Sequence, residues 1–298
     1  MRKSLKKKLM WIGTAVLAVL VLFAFGMFLR SALVNARSRS DFRDLAEMVV
    51  RTTDAPPSRV PVLQEMQIVI PPPATAAPAG QNSDAGAAAS PTPRPTATAA
   101  PTPGSTPTPL ADYEALYALN PDFFGWITVE GTKVDYPVMY SPDRPLQYLG
   151  HDFYGQFSYA GVPYLSPECD PDGSYYLVYG HHMRDGSLFA GLMAYEAPAF
   201  WTEHPTFRFD TRFEHRTYAV VAAFRARVLT KEERGFRYYS YSALDDEKAF
   251  STFMTNVRAM AAYDTGVEAA FGDEILTLCT CAYHTEKGRF VVVAKRVG

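Results

Sequence analysis

Eight short runs of β-forming residues crowd the C-terminal part of this 298-residue chain, and they limit the folds that it can adopt. The runs cover residues 125–129, 134–140, 161–165, 175–179, 206–209, 217–228, 275–281 and 289–297. Turn residues separate them, and each run is too short for a long helix. Many short strands at this spacing predict a mostly β domain, either a barrel or a sandwich.

Two helical patterns accompany the runs. One, over residues 113–119, stops before Pro121 and predicts a helix at the start of the domain. The other, over residues 242–262, has acidic residues in its first turns and Ser242 in position to cap its N-terminus. This second helix lies between the sixth and seventh runs, so it can form one wall of a site there.

The first thirty residues predict a membrane anchor. Five of the first eight residues are Lys or Arg, and an uncharged apolar run of 21 residues, 9–29, follows them. At 1.5 Å per residue such a run spans about 30 Å, the thickness of a bilayer core. A cleaved signal peptide is the alternative, but its apolar region is usually only about 7–15 residues long. The positive-inside rule places the N-terminus in the cytoplasm and the rest of the chain outside the cell.

Composition divides the chain after the anchor into three further parts. Residues 31–70 are mixed and are predicted to be a juxtamembrane stalk, in which residues 41–51 could form a short amphipathic helix. Residues 71–109 contain eleven prolines and no aromatic residue, which predicts a disordered linker with a reach on the order of 100 Å. Residues 110–298 have the size of one domain with its own core.

Charge and cysteine content narrow the function. A net charge of -2 gives no reason to expect nucleic acid as a partner. The three cysteines, Cys169, Cys279 and Cys281, cannot all pair within one chain, so at least one thiol stays free. For a domain outside the cell, catalysis is the first explanation of a free thiol.

Cys281 is the predicted nucleophile. Side chains alternate along a strand, so Cys279 and Cys281 share one face of the run at 275–281. A polar turn follows Cys281 and places it at a strand end near solvent, whereas the role of a buried small residue fits Cys279 better. A free thiol with a pKa of about 8.5 needs a proton acceptor or a positive charge nearby.

A histidine and an arginine are available to assist this thiol. His181 follows the run at 175–179 and a glycine, so it too lies at a strand end; among six histidines, the adjacent His182 is the main alternative. Arg289 begins the last run, and hairpin geometry brings it close to Cys281. A guanidinium there can hold a developing oxyanion, although spacing alone equally allows a surface arginine.

A zinc site is the alternative to this catalytic site. Cys279, Cys281, His284 and the pair at 181–182 supply enough ligands of the right kind. Structural zinc sites usually take their cysteines from turns, whereas these two lie within a predicted strand. We therefore predict neither a metal nor a cofactor.

The domain at 110–298 resembles the sortase family, and specifically the class B sortases. The matching segments are residues 120–126, 131–138, 148–155, 179–183, 185–189, the Thr-Leu-Cys-Thr-Cys run at 277–281, and 289–295. The helix inserted before the nucleophile strand is also a class B feature. Class B members often carry Ser two residues before the nucleophile, whereas this chain carries Cys279.

The resemblance implies an eight-stranded β-barrel with a catalytic trio of Cys281, His181 and Arg289. It implies a transpeptidase that cuts the C-terminal sorting signal of surface proteins after its Thr, through a thioacyl-enzyme. An amine of a peptidoglycan precursor or of a pilin would then accept the acyl group. The resemblance also assigns substrate-binding positions to Leu149, Tyr179, Cys279 and Thr280.

Two other functions compete with transpeptidation. A cysteine peptidase or wall hydrolase would form the same acyl-enzyme and pass it to water. Papain-like and wall-amidase enzymes usually place Cys before His along the chain, and here His181 precedes Cys281. A non-enzymatic, membrane-anchored wall-binding module would leave the motif at 277–281 unexplained.

Overall fold

The eight predicted runs form eight strands that close into a barrel. The computed structural model describes residues 2–49 and 108–298. The strands are β1 Phe123–Val129, β2 Val134–Met139, β3 Tyr164–Leu165, β4 Tyr175–Tyr179, β5 Thr206–Thr211, β6 Thr217–Arg227, β7 Ile275–Cys281 and β8 Gly288–Arg296. Their order around the barrel is β1-β2-β3-β4-β7-β8-β6-β5. The predicted eight-stranded barrel is confirmed.

Strand β7, which carries Cys279 and Cys281, pairs in parallel with β4 on one side and antiparallel with β8 on the other. A parallel pair needs a long crossover, and the chain between β4 and β7 supplies it with β5, β6 and two helices. β3 is shorter than the predicted run at 161–165. Pro163 lies in that run and has no N–H to donate to a neighbouring strand, so only its carbonyl takes part, accepting from the Met139 amide at 2.9 Å.

The core formed by the barrel and the helices packed on it is rich in tyrosine and phenylalanine. The largest fully buried side chains are Tyr113, Tyr175, Tyr176, Tyr195, Tyr218, Tyr238, Phe123, Phe153, Phe189, Phe209, Phe224 and Phe253. Buried hydroxyls need partners, and the Tyr113 hydroxyl donates to Asp210 at 2.6 Å. These rings supply much of the apolar area that the barrel removes from water.

In the part of the chain that the structure describes, four α-helices accompany the barrel: α1 Arg2–Met48, α2 Ala111–Leu119, α3 Pro198–Glu203 and α4 Glu247–Met260. The two predicted helices in the domain correspond to α2 and α4. The prediction of Ser242 as the N-cap of α4 is wrong. Asp246 has an extended backbone and accepts the otherwise free amide of Ala249 at 2.8 Å, so the helix begins four residues later than expected.

The first helix, α1, contains the predicted anchor and continues beyond it. Within the described residues, the segment Val16–Met48 is the one long and apolar enough to cross a membrane, judged by length and composition. Phe42 and Leu45 lie in the last turns of this helix, and Val49 follows it. All three are buried in the same core as the barrel residues. The remainder of the predicted stalk from residue 50, and the predicted linker up to residue 107, lie outside the described residues.

Candidate active site

The ends of β4, β7 and β8 bring three predicted site residues together. Cys281 is the last residue of β7, and Arg289 is its direct partner in β8. On the other side of β7, the Gly180 amide donates to the Cys279 carbonyl at 3.1 Å, so the chain continues beside β7 after β4 has formally ended. His181 follows at once. Cys281 is thus flanked by the arginine on one neighbouring strand and by the histidine segment on the other.

The three thiols differ sharply in their surroundings. All three cysteines are free, but Cys169 and Cys279 are buried, whereas Cys281 is partly exposed. Burial raises the pKa of the Cys279 thiol to about 12, although a hydrogen bond with Tyr238 and the charge of Arg289 act in the opposite direction. Burial likewise raises the pKa of Cys169 to about 11. Both buried thiols therefore stay neutral, and Cys281 is the thiol that a reagent from solvent can reach.

The two neighbouring histidines have different partners. The Nε2 atom of His181 lies 2.9 Å from the carbonyl oxygen of Leu149, and the Nδ1 atom of His182 lies 2.8 Å from that of Cys281. A carbonyl oxygen only accepts, so each nitrogen donates. In neutral His181 this leaves Nδ1 as the nitrogen that can take up a proton, whereas His182 is held against the backbone of β7.

A glycine before the histidines allows this arrangement. A Cβ atom on Gly180 would lie 2.5 Å from the ring of Phe189, which packs directly against the turn. The Phe189 amide donates to the His181 carbonyl at 2.9 Å and so returns the chain alongside the histidine segment. Gly180, the glycine that precedes His181, is therefore required by this packing, because a side chain there would collide with the Phe189 ring.

The Arg289 guanidinium is anchored near the base of the site. Its Nη1 atom donates to the Gly288 carbonyl at 2.9 Å. Its positive charge lowers the pKa of Cys279, as noted above, and acts in the same direction on Tyr164, whose pKa burial raises to about 12. The Tyr164 ring packs against that of Tyr179 with centroids 5.7 Å apart. The Arg289 charge is thus near enough to act on Tyr164, one of two phenol rings packed together next to the site.

The four predicted substrate-binding positions fall into two groups. Leu149 is 41% exposed and Tyr179 is partly exposed, so both offer side-chain surface next to the histidine segment. Cys279 and Thr280 are each only 1% exposed. The Thr280 hydroxyl donates to the Gly180 carbonyl at 2.8 Å, which fastens the end of β7 to the histidine segment.

Two site features had no signal in the sequence. The Tyr238 hydroxyl lies within hydrogen-bond distance of the Cys279 sulfur, at 3.0 Å, and the charge of Arg289 acts on Tyr164. Both phenols come from segments without a recognisable motif.

Across residues 2–49 and 108–298, no group of three or more His, Cys, Asp or Glu side chains is arranged to hold a metal ion.

Comparison with curated proteins gives two relatives, although no family model matches the chain. Sortase B of Listeria monocytogenes serovar 1/2a is 30% identical over 186 residues, which cover 61% of this chain and 72% of the relative. Sortase B of Staphylococcus aureus is 27% identical over 187 residues, which cover 61% of this chain and 73% of the relative.

Solved structures give the same result. A Staphylococcus aureus sortase B–substrate complex matches with a TM-score of 0.55 at 25% identity, covering 62% of this chain and 84% of its own. Sortase B from Bacillus anthracis in complex with AAEK1 matches at 0.53 and 28% identity, with coverages of 62% and 84%. A sortase B complexed with triglycine matches at 0.56 and 25% identity, with coverages of 62% and 85%.

Proposed function

Since this chain belongs to the class B sortases, a family of cysteine transpeptidases, we propose that it cleaves the C-terminal sorting signal of surface proteins and joins them to an amine. The acceptor amine would belong to a cell-wall precursor or a pilin. One observation carries the proposal: Cys281, the accessible thiol, lies opposite Arg289 in β8 and beside the His181 segment that follows β4.

In the first half of the proposed reaction, the Cys281 thiol gives its proton to Nδ1 of His181, and the sulfur attacks the carbonyl carbon at the cleavage point. The carbonyl oxygen becomes an oxyanion, which the Arg289 guanidinium stabilises by charge and by directed N–H donors. When the C–N bond breaks, His181 gives a proton to the departing amine. The product is a thioester on Cys281 and a free C-terminal fragment.

In the second half, the amine of the acceptor attacks the thioester. His181, now lacking that proton, takes one from the attacking amine, and the Cys281 thiolate leaves. The new amide bond joins the surface protein to the acceptor. Leu149 and Tyr179 would line the groove that holds the sorting signal, because their side chains are accessible next to the histidine segment.

The proposed location follows from α1. The apolar part of this helix would cross the membrane once, with the basic N-terminus in the cytoplasm and the barrel outside. The partners would then be surface proteins that carry sorting signals, the acceptor amine and the bilayer itself. The related sortase B structures with a substrate and with triglycine support a peptide substrate and an amine acceptor.

The test is incubation of the full chain, in detergent or liposomes, with a library of sorting-motif peptides, with and without amine acceptors. Mass spectrometry should find a thioester on Cys281, and an amine-dependent ligation product that Cys281→Ala does not form. A hydrolysis product that no amine diverts would favour the peptidase alternative. Absence of cleavage for every peptide would contradict the proposed substrate class.

A further inference from the structure

Two aromatic side chains stand exposed on the loop between β2 and β3. Phe157 is 52% exposed and Tyr159 is 47% exposed, and their rings meet edge to face with centroids 4.8 Å apart. The residue between them, Ser158, is fully buried. Large apolar side chains that gather at the surface usually mark a contact with another molecule or with a membrane.

The loop is fastened to α1 at this same point. The hydroxyls of Ser158 and Ser38 are hydrogen-bonded at 2.8 Å, and both residues are buried. Further along α1, Phe42 packs edge to face on Tyr136 of β2 with centroids 5.0 Å apart. The contacts between α1 and the barrel thus extend from Ser38 towards the C-terminal end of the helix, away from its apolar segment.

A second set of contacts fixes the direction of the loop. Tyr154 lies close to Asp41 and Asp44 of α1: although partial burial is the main cause of its raised pKa, those two negative charges add to it. Tyr154 is therefore near the turns of α1 that hold Asp41 and Asp44, whereas Ser158 contacts the preceding turn at Ser38. Of these contacts of the loop with α1, the one at Ser158, between the two aromatic residues, is the nearest to the apolar segment.

The distance along α1 matches the depth of a membrane interface. The uncharged apolar run ends at Leu29, and Leu33 is the last large apolar residue that is exposed before Ser38. At 1.5 Å per residue, Ser38 lies about 14 Å beyond Leu29 and about 8 Å beyond Leu33. The headgroup region on each side of a bilayer is roughly 5–8 Å thick. The aromatic pair would therefore lie at about the level of the headgroups if the bilayer covers α1 as far as Leu33, within the segment that is long and apolar enough to span it.

We propose that Phe157 and Tyr159 insert into the outer phospholipid interface beside α1, so that the barrel rests on the membrane surface. The inference depends on the proposed membrane anchoring by α1. Tyrosine is favoured at this depth because its ring is apolar and its hydroxyl is polar, and the apolar Phe157 ring beside it gains by leaving water. Arg37 and Arg39, on the same turns of α1, pair with Asp41 and Asp185, but their side chains are more than half exposed and leave N–H donors that can contact lipid phosphates.

The contact would bear on the active site, because the same loop reaches it. The carbonyl of Leu149, in the first part of the loop, holds Nε2 of His181. His151 and Phe157 form a β-bridge that joins the two arms of the loop. A membrane that holds Phe157 in place thereby also restrains the segment that supports His181.

The experiment places a spin label at single introduced cysteines in the full chain carrying Cys281→Ala, reconstituted in liposomes of phosphatidylcholine and phosphatidylglycerol. Cys169 and Cys279 are buried and stay unlabelled. The labelled positions are Phe157→Cys and Tyr159→Cys, with Phe271→Cys as a control of similar exposure and Phe23→Cys as a marker of the bilayer core. Relative accessibility to oxygen and to a water-soluble nickel complex gives the depth of each label.

We expect labels at positions 157 and 159 to report the headgroup level or deeper, the label at 271 to report water, and the label at 23 to report the core. Water-like values at 157 and 159 together with a core value at 23 would overturn the inference and leave the anchor standing. A water-like value at 23 would reject the anchor, and the inference with it.

Discussion

The imidazole of His182 donates from Nδ1 to the carbonyl oxygen of Cys281 at 2.8 Å, and so ties the segment after β4 to the end of β7. Tyr283, in the hairpin between β7 and β8, packs on the same imidazole with ring centroids 5.2 Å apart. The Tyr283 hydroxyl donates to the His182 carbonyl at 3.1 Å. His182 therefore holds together the segment after β4, the end of β7 and the hairpin between β7 and β8. It lies next to His181, the proposed proton carrier.

We predict that His182 positions the nucleophile strand without exchanging protons. Loss of one such hydrogen bond costs about 1 kcal/mol, so His182→Ala should lower kcat roughly fivefold with little change in KM. His182→Asn should recover part of the loss, because its amide can donate to the same carbonyl. The measurement is steady-state kinetics with a peptide substrate.

A matched control separates position from proton transfer. His284→Ala removes an exposed histidine from the hairpin turn and should leave kcat unchanged. His181→Ala should abolish acylation. If His182→Ala abolished acylation and His181→Ala did not, the assignment of the proton carrier would have to be exchanged between the two residues.

Arg289 should act through its directed N–H donors and not only through its charge. Removal of one oxyanion donor costs roughly 10² to 10³ in rate in other enzymes, so Arg289→Lys should lower the acylation rate by about that factor while the domain stays folded. The control is Arg225→Lys, which alters an arginine paired with Glu196 on the surface of β6. An Arg289→Lys enzyme with most of its acylation rate would reduce the arginine to a general electrostatic role.

The two thiols of β7 should differ completely in reactivity. Cys279 is buried with a pKa raised by burial to about 12, so it holds almost no thiolate at neutral pH, whereas Cys281 is accessible. An alkylating reagent should label Cys281 first. Cys281→Ala should abolish acyl-enzyme formation, and Cys279→Ser should keep substantial turnover. Labelling of Cys279, or equal inactivation by Cys279→Ser, would show that Cys281 is the wrong nucleophile.

The sequence predicted the strands well because short apolar runs bounded by turn residues are typical of buried strands, and β4 and β7 are buried on both faces. The bounds of β4 and β7 agree with the predicted runs at 175–179 and 275–281. The prediction was poorer where backbone chemistry decides the bounds, as at Pro163 in β3 and at the Asp246 cap of α4.

The sequence predicted the packing of α1 on the barrel only in part. The predicted amphipathic helix at 41–51 rested on Phe42, Leu45, Met48 and Val49, but a periodic pattern indicates that a face is buried without indicating what covers it. The partner surface lies beyond the long segment at 50–107, so no local signal could connect them. Tyr164 and Tyr238 were missed for a similar reason: their roles depend on contacts with residues more than forty positions away.

The docking of α1 predicts what happens after proteolysis. A protease added to intact protoplasts should cut within residues 51–107, because the barrel and this segment would both lie outside the cell. After the cut, the barrel should remain membrane-bound, because it still packs against the buried face of α1. Leu45→Asp places a charge at a fully buried position and should free the barrel after the cut.

Ser40→Asp is the matched control, since it adds the same charge on the exposed face of α1 and should leave the cut barrel membrane-bound. Sedimentation followed by immunoblotting measures the result. Release of the wild-type barrel would contradict stable docking, and protection of the whole chain from the protease would contradict the proposed orientation.

Stability should fall as the pH rises above about 9. In the unfolded chain the thiols have a pKa near the ordinary 9.0, whereas burial raises those of Cys169 and Cys279 in the folded state to about 11 and about 12. Below pH 9 both states keep the protons, and the free energy of unfolding does not depend on them. Above it, only the unfolded state loses them, so each thiol removes up to about 1.4 kcal/mol per pH unit.

Urea unfolding, followed by near-UV circular dichroism between pH 8 and 10, should show this decline. Cys279→Ser should make the decline shallower, because one titrating group is gone, whatever the effect of the substitution on stability at pH 8. An unchanged slope in that variant would mean that the Cys279 thiol is not shielded from water as its burial in the barrel requires.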